Sequence, residues 1–66
     1  MMRAKMKTNL YAIYKSLLPD EVDADIYRFL NSIDGKEVTL IFTHGDAFEI
    51  NDNNIWLPNE LWDEIK

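Results

Sequence analysis

Residues 43–58, "THGDAFEINDNNIWLP", hold the chain's only histidine with three carboxylates and three asparagines, the side chains from which metal sites and acid–base centres are made. His44, Asp46, Glu49 and Asp52 are the candidate metal ligands. One histidine among oxygen donors is a poor zinc set. The run "NDNN" lacks the glycine at position six and the glutamate at position twelve of a calcium loop. A hydrolase would need His44 to meet Ser16 or Ser32, and both serines fall on helical stripes, outside any strained elbow. The expectation is therefore no catalytic residue, no metal and no cofactor. The polar residues are read as turn formers.

That reading depends on the elements around them. Leu10, Ile13, Tyr14, Leu17 and Leu18 recur at helical spacing, with Thr8 or Asn9 to cap the start and Pro19 to force an end near Leu18. A second stripe follows in Val22, Ile26, Phe29, Leu30 and Ile33, opening at Pro19 with Asp20, Glu21 and Asp23 near the positive end of the helix dipole. Gly35 suits a left-handed cap after it. From Lys36 the period changes to two: "KEVTLIFT", "AFEIN" and "IWL" alternate as strands.

Parity favours a three-residue turn, His44-Gly45-Asp46, since it sets Phe42 opposite Phe48 and Leu40 opposite Ile50, where a two-residue turn sets Leu40 beside Glu49. A four-residue turn, Asn51 to Asn54, then brings Ile50 opposite Ile55 and Phe48 opposite Leu57. One face would be Val38, Leu40, Phe42, Phe48, Ile50, Ile55 and Leu57. The other would carry Thr39, Ile41, Thr43, Ala47, Glu49 and Trp56, with Trp56 beside Glu49 across the strands. "LPNELWDEI" predicts a short closing helix with Leu61, Trp62 and Ile65 on one side. The expected fold is α+β, ordered α-α-β-β-β-α: a helical hairpin against a three-stranded antiparallel meander.

Size and charge bound the function. Sixty-six residues without cysteine make one small domain with no disulfide or thiolate chemistry, suited to a reducing cytoplasm. Eight aromatics compensate for the short chain by burying large areas. The longest apolar run is too short for a bilayer and no signal-peptide pattern opens the chain, so a cytoplasmic protein without membrane contact is expected. Arg3, Lys5 and Lys7 make residues 1–7 a basic segment, read as a flexible tail before a domain spanning 8–66, with Met1, Met2 and Met6 as alternative starts. The other fifty-nine residues hold twelve acids against four bases, a net −8. Such a body repels phosphate backbones, which argues against direct nucleic-acid binding; solubility is the commoner reason for such acidity, and the sharper reading is a basic partner or imitation of nucleic-acid charge.

Two surfaces are candidates for that partner. Asp20, Glu21, Asp23 and Asp25 form the densest acidic patch, whose simpler explanation is dipole complementarity on a solvated helix face. Ile41 and Trp56, with Glu49, would be interface anchors if the second sheet face stays open. If the closing helix folds over that face, Trp62 stacks there instead. Residues 35–65 resemble small uncharacterised proteins encoded by phages and prophages of Gram-positive bacteria, in which "GDAFE", "DNN", "WLP" and "LW" recur in this order. The resemblance brings no site residues. It implies a non-enzymatic binder that inhibits or redirects a host protein, in host takeover or anti-defence. The alternative is a structural or accessory homo-oligomer, with a homodimer formed by edge pairing or through the Trp56 face.

Overall fold

The computed structural model describes residues 1–66. Along the chain run β1 (Met2–Met6), α1 (Leu10–Leu17), α2 (Ala24–Ile33), β2 (Glu37–Thr43), β3 (Asp46–Glu49), a single 3-10 turn (Asn59–Leu61) and β4 (Trp62–Glu64). The fold is α+β, and its sheet is antiparallel with the order β3-β2-β1-β4. It differs from a three-stranded meander in where its strands come from. The basic segment expected as a tail supplies β1, in the middle of the sheet. Met2, Ala4 and Met6 alternate with Arg3 and Lys5, and that period of two sends Ala4 and Met6 into the core.

The two helices follow their stripes. Leu10 and Tyr14 bury the face of α1, and Leu30 and Ile33 bury that of α2. The edge of the Tyr11 ring meets Tyr27 across the helical hairpin, with centroids 4.8 Å apart. Neither local cap expected for α1 forms: Asn9 adopts left-handed φ of 61°, and the cap arrives from 24 residues away, where Asp34 Oδ2 accepts the Leu10 N–H at 2.9 Å. Helix α2 starts at Ala24 and not at Pro19, because Asp23, in extended backbone, accepts the Ile26 N–H at 2.9 Å and so defines the first turn. Gly35 takes φ of 68°, as its left-handed role requires, and its N–H donates to the Lys7 carbonyl at 3.0 Å.

The β2–β3 register is the one parity disfavoured. His44 and Gly45 have φ of 54° and 85°, the positive pair of a two-residue hairpin turn whose twist matches its strands. Thr43 therefore pairs with Asp46, Phe42 with Ala47, Ile41 with Phe48 and Leu40 with Glu49. A one-residue shift turns every β3 side chain over. Ala47 and Glu49 point to the core side with Leu40, while Phe48 lies with Ile41 on the opposite face. Apolar cross-strand pairing misled because the space under β3 is filled by another segment: Leu57, fully buried, descends beside Ala47 and donates its N–H to the Ala47 carbonyl at 2.9 Å. Phe42 and Ile50, assigned to the buried face, are 49% and 42% exposed.

Residues 50–58 form no third strand. The loop is held by the Ile50 N–H donating to the Thr39 carbonyl at 2.9 Å, a lone bridge between Glu49 and Asp52, and the Leu57–Ala47 bond. Its turns are made as their composition suggests, with Glu49 Oε2 accepting the Asn51 N–H at 2.9 Å and Asp52 Oδ1 accepting the Asn54 N–H at 3.0 Å. The closing helix is also absent. After one 3-10 turn Trp62 extends, with φ of −152°, and β4 pairs with the second edge of β1. The core joins Ala4, Met6, Leu40 and Ala47 of the sheet to Leu10, Tyr14, Leu30 and Ile33 of the helices, with Leu57 and Leu61 between. Arg3, Lys5, Thr39, Ile41 and Phe48 share the other sheet face, which no helix covers.

Candidate protein-binding surface

Two loops meet above the helical hairpin: residues 18–23, between α1 and α2, and residues 50–58, after β3. Their contact builds a slot of about 280 Å³ walled by Tyr14, Leu18, Ile26, Ile55 and Trp56, with Glu21 as its one charged group. Ile26, Asn54 and Ile55 also form one side of a neighbouring hollow of about 440 Å³, lined by Asp23, Asp25, Asp52 and Phe29. The two form a continuous surface with an apolar floor and an acidic border.

Each element has a local reason to be there. Ile26 lies on the apolar stripe of α2, and Asp23 and Asp25 flank its first turn, where negative charge suits the helix dipole. Asp25 pairs with Arg28, both side chains largely in water, so the pair adds little stability. The Asx turn at Asp52 aims Ile55 and Trp56 back toward the helices. Burial pushes the Tyr14 hydroxyl above its ordinary pKa, and the negative charges of Glu21 and Asp23 push it the same way. The bases of the first strand lie elsewhere. On the uncovered sheet face Arg3 binds Glu37 at 2.5 Å and Lys5 Nζ donates to the Gly35 carbonyl at 2.5 Å. Arg28 at Asp25 is the one basic side chain paired with the acidic border.

Of the residues singled out from sequence, Glu21, Asp23, Asp25 and Trp56 come together here. Asp20 is exposed on the same loop and lines neither hollow. Ile41 and Glu49 do not belong. Ile41 is half-buried opposite Phe48 on the uncovered sheet face. Glu49 is only 9% exposed and is engaged with the Asn51 N–H. The expected Glu49–Trp56 neighbourhood depended on the three-residue turn and disappears with it. Trp56, 40% exposed, stands on a loop and not on a sheet face. Ile55 and Tyr14 are not marked as site residues by the sequence, and Asp52 is marked there only as a candidate metal ligand. Tyr14 was assigned to the helix stripe, and nothing local to Ile55 indicates that its loop returns to that helix.

The ligand cluster suggested by residues 43–58 does not assemble. His44 is exposed in the hairpin turn, and no three histidine, cysteine or carboxylate side chains converge as a metal site would require. Ser32 donates its hydroxyl to the Phe29 carbonyl at 2.5 Å, a local helix bond. No helix is long and apolar enough to cross a membrane. No known family model, curated protein or solved structure matches this chain.

Proposed function

We propose that this chain is a non-enzymatic binding protein that docks a basic surface of a partner protein. The observation carrying this reading is the juxtaposition of Glu21, Asp23, Asp25 and Asp52 with the apolar floor of Ile26, Ile55 and Trp56. Acids at the border attract a positive partner and set its orientation, while desolvation of an exposed indole supplies affinity. Together with the resemblance to phage and prophage proteins, this fits a factor that inhibits or redirects a host protein in the cytoplasm. In this reading the acidic border takes the place of a phosphate backbone on the partner, with nucleic-acid charge mimicry as its mode of competition.

The test is capture from lysate of a Gram-positive host at low and high salt, using the full chain, its Trp56→Ala variant and its Glu21→Lys variant. The reading requires a captured protein that is lost with either substitution and released as salt rises. Capture indifferent to all three overturns it. A chain that captures nothing and runs as a stable dimer overturns it in favour of an accessory homo-oligomer.

A further inference from the structure

Trp56 has a second side. Beyond it, away from the helices, a cleft of about 480 Å³ opens between the β2–β3 hairpin and the 3-10 turn. Its walls are Phe42, Trp56, Leu57, Pro58 and Trp62. Phe42 is 49% exposed although it belongs to the core side of β2, and its ring meets Trp62 edge to face with centroids 6.3 Å apart. The two indoles are held differently. Trp62 Nε1–H donates to the Leu57 carbonyl at 3.1 Å, which fixes the ring, whereas Trp56 makes no side-chain hydrogen bond. The mouth carries Asp46 from β3 and Glu60 from the 3-10 turn, and no basic side chain lines it. Neither acid is in an ion pair.

We infer that this cleft binds an extended, proline-bearing segment of a partner protein with an arginine beside the prolines. Three aromatic walls set around a shallow groove are what a polyproline II segment needs. Its rings pack against aromatic faces, and its preformed backbone loses little entropy on docking. An amphipathic helix would need an apolar groove about two turns long, whereas Asp46, Asn59 and Glu60 interrupt the apolar lining here. The uncompensated Asp46 and Glu60 specify the cation, and guanidinium suits the place because it can stack on Trp56 while bonding a carboxylate. Trp56 Nε1–H, which has no partner within the chain, is left to donate to a carbonyl of the bound segment. This inference rests on the reading of the chain as a binding protein and concerns the opposite side of Trp56 from the Glu21 slot.

The test titrates the full chain, labelled with nitrogen-15, with a synthetic decapeptide of prolines containing two arginines. A peptide with the prolines replaced by alanine and one with the arginines replaced by glutamate are the controls. Saturable movement of the Trp56 and Trp62 indole signals by the first peptide alone is the expected result. Phe42→Ala, at a half-exposed position, and Glu60→Lys, at an exposed one, should each weaken binding at least tenfold, while Glu21→Lys leaves it within twofold. No saturable shift overturns the inference. So does equal binding of the alanine peptide, or shifts confined to the Glu21 and Ile55 side. If the peptide binds as described but host capture fails, the cleft stands and the host-docking reading falls. If Glu21→Lys abolishes host capture while the peptide does not bind, the cleft falls alone.

Discussion

The centre of the sheet and the loop over its β3 edge are opposites in what they show and what they support. Strand β1 looks like a disposable leader, a run of methionines and bases at the start of the chain, yet it has a strand on each side and buries Ala4 and Met6 completely. Loop 50–58 looks like the chemical heart of the chain, yet it attaches to the sheet through one bridge and two backbone bonds, Ile50 to Thr39 and Leu57 to Ala47. Conspicuous residue types mark turns and surface here. The residues that hold the domain together are apolar side chains with no chemistry of their own, such as Met6, Leu40 and Leu57.

The largest expected effect comes from breaking the centre. A chain started at Met6 lacks nearly all of β1, leaving β2 and β4 without the neighbour between them. It should show no cooperative thermal transition and no dispersed amide spectrum, because a domain of this size has only a few kcal/mol of net stability, about 0.1 per residue. A truncated chain that still melts cooperatively would mean that β1 is peripheral after all.

A smaller effect separates short-range from long-range capping. Asp34→Ala removes the acceptor of the Leu10 N–H and should cost about 1 kcal/mol by urea denaturation. Asp34→Asn keeps an acceptor and should cost a few tenths. Thr8→Ala, at the position expected from sequence to cap α1, should cost nothing measurable. Equal losses at Thr8 and Asp34 would return the cap to the local segment.

Tyr14 ties centre to rim, since its ring is in the core while its hydroxyl feels Glu21 and Asp23. Its folded-state pKa lies above the ordinary value of 10.0, so folding favours the protonated phenol. The stability this contributes is intact below pH 10 and is lost as pH rises through the raised value. Denaturation midpoints measured across that range should fall for the native chain and fall less for Tyr14→Phe. Identical slopes would mean that Tyr14 ionises as freely folded as unfolded.

What sequence could show follows the range of the forces involved. The two helical stripes, the Gly35 cap and the end of α1 before Pro19 are local, and they appear where periodicity and backbone preference place them. Asp23 as the true start of α2 is open to the same reasoning, but Pro19 carries the stronger local start signal. The register of β3 was not local. It depended on Leu57 occupying the core beneath Ala47, a fact of tertiary packing that no pairing of apolar residues along the hairpin can reveal. The Met2, Ala4, Met6 alternation is legible in the sequence, but the bases between them and the position at the start of the chain equally suit a tail. Trp56 was chosen from sequence for a face it does not occupy, and the acidic patch for its density alone. Their meeting at the Glu21 slot is a product of loop return.

The residue expected to matter most for binding should matter little for stability. Trp56→Ala removes a ring that is 40% exposed and sits on a loop with little backbone anchorage. Folding should weaken by about 1 kcal/mol, well below the 3–5 kcal/mol typical of a fully buried aromatic. The same substitution should eliminate the salt-sensitive capture of a host protein, because the indole walls both the Glu21 slot and the Phe42–Trp62 cleft. Urea denaturation and capture measured on one preparation keep the two effects apart. Loss of several kcal/mol would make Trp56 part of the core and erase the contrast between centre and rim. A small loss with capture intact would leave the contrast standing and move the binding surface elsewhere, first to the half-buried Ile41 and Phe48 on the uncovered side of the sheet.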